Sequence, residues 1–186
     1  MLKLCGILLS AVIVFVMVFH GVRTEYPQMA QASIKPITII NYAPPPLVYH
    51  PQIAYTSRDV DCLAKNIYYE AGIEKDIGKY AVAHITLNRQ KTGYWGKSIC
   101  KVVYSPSKFS WTLNKRLEIP DAQVYHRCKE IALDSLRGRR VRGLEHALFY
   151  YADYIQRPYW AKNQKLVQKV GTHLFFNSAK NFDVKI

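Results

Sequence analysis

The chain has 186 residues, 49% of them hydrophobic, and its 26 Lys and Arg against 13 Asp and Glu give a formal net charge of +13. That apolar content can build one sizeable core, and once the first ~55 residues are set aside the remainder is one ordinary domain, so a single domain is the expectation. The basic excess favours polyanionic partners, whether cell-wall polymers, anionic lipid or nucleic acid.

Residues 4–19, LCGILLSAVIVFVMVF, are apolar and uncharged, with Lys3 before them and Arg23 after. They form a targeting segment near the ~17-residue lower limit for crossing a bilayer. The small-x-small signal Ala30-Gln31-Ala32 lies well past the apolar run, beyond Arg23 and Glu25. The prediction is therefore an uncleaved signal-anchor over residues 1–23 with its N-terminus inside; cleavage would instead leave a mature N-terminus at Ser33. Either outcome exports the rest of the chain, which argues against a nucleic-acid partner.

Residues 24–57 read as a linker. Six of the nine prolines fall between Pro27 and Pro51, and Lys35 is the sole charged residue from Tyr26 to Ser57. Pro44-Pro45-Pro46 favours extended geometry and a semi-rigid spacer. The apolar Ile37, Ile39, Ile40, Leu47 and Val48 leave open a strand or arm packed on the domain.

The domain proper, residues 58–186, begins with a helix. Val60, Leu63, Ala64, Ile67, Tyr68 and Ala71 form a helical stripe, and Glu70 sits at its edge, just before a stop at Gly72. Desolvation there raises a carboxyl's pKa toward proton donation near neutrality, so Glu70 is a candidate general acid. A second helix, about Asp76 to Arg89, is apolar on most sides and predicted to lie centrally, with His84 as a packed core histidine. A third runs from Pro120-Asp121 to near Gly138, with Val124, Cys128, Ile131 and Ser135 in one row. The Arg137, Arg139, Arg140 and Arg142 cluster reads as its solvated end. A short helix is expected from Pro158 to about Lys169, flanked by β-rich runs at Ala147–Tyr151 and His173–Phe176 that could pair.

Export permits a disulfide, and Cys62, Cys100 and Cys128 allow three single pairings. No C-x-x-C or H-x-x-x-H spacing recommends zinc, and no metal or cofactor is expected. A second carboxylate for glycoside cleavage could be Glu74, equally readable as an exposed cap or a support residue of the second helix; Glu118, Asp121, Glu145 and Asp153 are further candidates. A sugar groove would draw on aromatic faces, with Phe109, Trp111, Tyr104, Tyr150, Tyr151, Tyr159 and Trp160 available and Ser110 as a polar contact.

The runs YYEAGIEKDIGKYAVAHITLNR, SICKVVYSPSKFSW and VQKVGTHLFF together resemble the spore-cortex-lytic and cell-wall hydrolase family (SleB/CwlJ-like), over roughly residues 58–178. The resemblance implies an α+β, predominantly α-helical, lysozyme-like domain with a small β element that cleaves peptidoglycan glycan strands. It implies Glu70 as catalytic acid and a Cys62–Cys100 disulfide, and Phe109-Ser110-Trp111 matches a family block; the expected substrate contacts are Glu74, Phe109, Ser110, Trp111, Tyr151 and Trp160. The chain departs from the family pattern at Gly72-Ile73, where Arg-Gly is usual, at Lys75, where proline is common, and in lacking histidines over 147–152. The reaction is hydrolysis of the muramidase type or lytic transglycosylation, which manages with one glutamate, in wall remodelling or phage lysis. The alternative is a membrane-anchored, non-catalytic wall-binding protein that retains the fold.

Overall fold

The structure, a computed structural model, describes residues 43–114 and 116–178. The expected signal-anchor and the linker up to residue 42 lie outside the described residues. No helix among the described residues is long and apolar enough to cross a membrane.

Helix α1 (Ser57–Ala71) starts at a capping box: the Thr56 side chain accepts from the Asp59 N–H, and the Asp59 carboxylate accepts from the Thr56 N–H. This satisfies two of the donors that a helix start leaves open. Its stripe is as expected, with Leu63, Ala64, Ile67 and Ala71 buried and Val60 and Tyr68 packed at the margin. The helix ends at Ala71, and Gly72 keeps a right-handed φ of −56°. Helix α2 (Asp76–Thr92) runs through the centre and is buried from Gly78 to Arg89. A helix covered on all sides must satisfy its polar groups internally. Thr86 Oγ1 accepts from Asn66 Nδ2 at 3.0 Å, and Asn88 Nδ2 donates to the carbonyls of Leu144 and Ala147. His84 is the packed core residue that the pattern predicts, its pKa lowered by burial to about 3.

A short α3 (Ile99–Val103) carries Cys100, which is bonded to Cys62 of α1. A 3-10 turn, Ser110–Leu113, precedes α4 (Ala122–Leu136), which is capped by Asp121 and packs Cys128, Ile131 and Ser135 inward. Cys128 is a buried free thiol.

Two findings revise the expected element map. The described part of the expected linker is packed on the domain: β1 (Leu47–Tyr49) pairs antiparallel with β2 (Arg139–Val141), and Leu47 packs on the core. Gly138, at φ 109°, makes the corner possible, because a side chain there would collide with the His50 carbonyl. The arginine cluster is accordingly no simple solvated helix end. Arg140 is fully buried, donating to the Ser135 and Arg139 carbonyls, and Arg139 pairs with Asp134 at 3.3 Å.

The second revision concerns the C-terminal third. The runs at 147 and 173 do pair, as β3 (Ala147–Ala152) and β5 (His173–Asn177). The helix expected from Pro158 to about Lys169 is instead a 3-10 turn, Tyr159–Asn163, followed by strand β4 (Lys165–Val170). The sheet is three-stranded and antiparallel, in the order β3-β5-β4. The result is the expected α+β architecture with helices in the majority.

Candidate active site

Glu70 stands on the last turn of α1, facing β3. Its Oε2 accepts a hydrogen bond from the Tyr150 hydroxyl at 2.9 Å. Burial raises the Glu70 pKa above its ordinary 4.5, opposed by the Tyr150 hydrogen bond and by the positive charge of Arg89. Desolvation prevails. Among the described residues the groups acting on Glu70 are a tyrosine and an arginine. Burial also holds the Tyr150 hydroxyl well above its usual range, so it remains a donor.

Tyr150 owes its position to the end of α2. Asn88 grips the turn leading into β3 through the Leu144 and Ala147 carbonyls, and Arg89 Nε donates to Leu148 O at 2.8 Å. The Arg89 guanidinium lies within 6 Å of the centroids of Trp95, Phe109 and Phe149. Strand alternation then turns Tyr150 inward with its partner Phe175, and turns Phe149 and Tyr151 to the opposite face.

The remaining wall is the turn between α1 and α2. Glu74 is no exposed cap: its side chain is only 8% exposed. Its Oε1 accepts from the Thr172 N–H at 3.2 Å and from the Thr172 hydroxyl, and lies 3.6 Å from His173 Nδ1. Gly171, at φ 58°, leaves room for that carboxylate, which a side chain there would strike. His173 is kept neutral by burial, with Glu74 opposing the shift. Its ring packs edge-on against Tyr150, centroids 5.3 Å apart. A continuous file therefore joins Glu70, Tyr150, His173 and Glu74.

The expected aromatic contacts fare differently. Phe109, 2% exposed, lies under the Arg89 guanidinium and is core, not groove. Trp111 is also buried, stacked on Tyr69 at 4.7 Å, its N–H spent on Asn66 Oδ1. Ser110 between them is exposed at the start of its 3-10 turn. Tyr151 and Trp160 pack edge to face with each other, and Phe176 stacks on Tyr151 and meets Trp160 edge-on, on the sheet face opposite Tyr150. They share no face with the hydroxyl that meets Glu70. Among the described residues no group of three His, Cys, Asp or Glu could hold a metal ion. The site residues that sequence reasoning missed are Arg89, His173 and Thr172, together with the role of Tyr150. Arg89, Thr172 and His173 lie in the quoted runs and Tyr150 in the β-rich run 147–151, but only the fold brings them together at Glu70.

Comparison with known proteins agrees with this fold. The chain resembles spore cortex-lytic enzymes, at 26% identity over 125 residues for that of Bacillus cereus and 27% over 127 for that of Halalkalibacterium halodurans. These matches take in 65% and 66% of this chain but 45% and 36% of the relatives, so the chain spans less than half their length. Among solved structures it is similar to the catalytic domain of the germination-specific lytic transglycosylase SleB from Bacillus anthracis, with a TM-score of 0.58 and 23% identity. That match covers 67% of this chain and 98% of the other; the Bacillus cereus SleB catalytic domain gives a TM-score of 0.57, covering 68% and 95%. The likeness establishes a shared fold. The Cell Wall Hydrolase family matches residues 73–176, beginning three residues after Glu70, and the chain belongs to that family.

Proposed function

We propose that this protein cleaves the glycan strands of peptidoglycan by lytic transglycosylation, with Glu70 as the single acid and base. The observation that carries the reading is a desolvated carboxyl whose acting neighbours, among the described residues, are the Tyr150 hydroxyl and Arg89 and include no second carboxylate. Glu70 gives its proton to the glycosidic oxygen, the bond to the sugar carbon breaks, and positive charge develops on the ring. The resulting carboxylate accepts the Tyr150 hydrogen bond and feels the Arg89 charge. It then takes the proton of the sugar's own 6-hydroxyl as that oxygen attacks the ring carbon, closing a 1,6-anhydro end and restoring the acid. A muramidase reaction would need water activated at the same place, commonly by a further carboxylate.

The names of the relatives, spore cortex-lytic enzyme and lytic transglycosylase, support the substrate class. The apolar residues 4–19 support export and anchoring by residues 1–23, with the domain facing the wall for remodelling or lysis. Ser110 remains a proposed polar contact to the sugar, and Glu74 a support of the site. Mass spectrometry of the fragments released from purified walls by the full-length chain tests the reading. Anhydro ends support it; reducing ends mean hydrolysis, and wall binding without release of fragments means a non-catalytic protein.

A further inference from the structure

A cavity of about 670 Å³ opens beside the α1–α2 turn, within the size range of small-ligand sites. Ile73, Glu74, Lys75 and Ile77 line one side, Lys169 and Thr172 of the β4–β5 hairpin the other, and residues 43–45 close it. The reaction does not use it, yet a file of contacts links it to the acid. Glu74 forms part of its wall, and from Glu74 the file through His173 and Tyr150 reaches Glu70, so two side chains in series stand between the cavity wall and the acid.

Its chemistry is specific. The Glu74 carboxylate is occupied by Thr172, which leaves two lysines as the charges offered to a ligand. Lys75 is exposed, and Lys169 is ion-paired with Asp153 at the surface, where a competing carboxylate can displace it. Ile73 stands 97% exposed at the mouth, an apolar ledge beside a cationic rim. A ligand that fits carries carboxylates on a short chain with small apolar groups. In peptidoglycan every second sugar bears such a chain, the peptide arm attached through its lactyl ether.

We propose that this cavity holds the peptide arm of the strand whose glycosidic bond lies at Glu70. Ile73 and Ile77 meet the arm's small side chains, and Lys75 and Lys169 its carboxylates. The assignment rests on the glycan-cleaving reading above and adds a preference for peptide-bearing strands.

The test uses the full-length chain on purified walls and on the same walls stripped of peptide arms by an amidase that cuts the lactyl amide. Chain ends formed per unit time give kcat/KM on each. Wild type should favour intact walls at least tenfold, and a Lys75→Glu, Lys169→Glu double variant should bring the ratio close to one. Lys129→Glu, an exposed charge reversal on α4, should keep the wild-type ratio. Because the ratio is internal to each protein, a loss of folded fraction cancels. Equal rates on both substrates in wild type overturn the arm site alone, as does a preference that survives the double variant or falls equally with Lys129→Glu. Failure to cleave either substrate overturns the glycan-cleaving reading, and the arm site with it.

Discussion

At its N-terminal end α1 is tied down by several bonds. Thr56 and Asp59 close a capping box, Cys62 is bonded to Cys100, and Asp61 meets both Lys65 and the Tyr125 hydroxyl. At the other end Glu70 has one hydroxyl and a desolvating surround, and the last turn carries no basic residue. The carbonyl end of a helix also disfavours a carboxylate, so the macrodipole and burial act in the same sense. The covalent tie and the capping box lie at one end, while the other carries a group whose ionisation the fold resists. Function and stability should therefore separate along one helix.

The largest expected effect is at the acid. Glu70→Gln keeps shape but cannot donate, and loss of a general acid commonly costs ~10² to 10⁴ in rate. Stability should move the opposite way. The folded pKa of Glu70 lies above its unfolded value, so ionisation favours the unfolded chain and stability falls as pH rises from about 4.5 through the folded pKa. Glutamine has no such term. The variant should melt higher than wild type at neutral pH, and the gap should close below pH 4.5, as calorimetry at two pH values would register. Near-normal turnover in a folded Glu70→Gln protein would end the assignment.

The converse variant is Cys62→Ser. The bridge spans a sequence separation of 38, and a loop of that length restricts the unfolded chain by about 3 to 4 kcal/mol. Its loss should lower the melting temperature by roughly 10 °C, taking 2–4 °C per kcal/mol. Turnover well below the transition should stay close to wild type. If activity fell as far as in the Glu70 variant, the two ends of α1 would be coupled and the comparison would fail.

The same helix marks what could be read from sequence. The α1 and α2 patterns are strong because one face, or every face, meets the core over four turns, and Glu70 falls where the stripe places it. The sheet was harder. In a strand a one-residue offset exchanges faces, so two adjacent tyrosines look alike until register is known; Tyr150 meets Glu70, whereas Tyr151 joins Trp160 behind. Strand β4 read as a helix because it is an edge strand with Lys165, Leu166 and Lys169 all exposed, which erases the alternation that marks a half-buried strand. Phe109 and Trp111 carry groove-like chemistry but serve the core, since the buried Arg89 and Asn66 need partners there.

Tyr150→Phe, a smaller change, sharpens the C-terminal half of the comparison. The hydroxyl favours the Glu70 carboxylate, so its removal should raise the Glu70 pKa and move the alkaline limb of the pH–rate profile upward. A hydrogen bond to a charged group contributes about 1.5 to 3 kcal/mol, so turnover should fall by roughly ten- to a hundredfold. A limb that stays in place would mean that Tyr150 does not touch the acid in the working enzyme.

The smallest effect belongs to Glu74→Gln. The amide oxygen can still accept from the Thr172 N–H and hydroxyl, so the tie between the two turns survives, and only the charge beside His173 is lost. Turnover should drop by less than tenfold, below the loss in Tyr150→Phe. Any influence of Glu74 on the acid passes through the His173 ring to Tyr150, and contacting residues in one file do not act independently. Combining Glu74→Gln with Tyr150→Phe should therefore cost less than the product of the two single effects, because the second change interrupts the file that the first perturbs. Strict multiplication of the rate losses would show that Glu74 reaches the reaction by another route. A Glu74→Gln loss greater than that of Glu70→Gln would make Glu74 the proton donor and reverse the assignment of the two carboxylates.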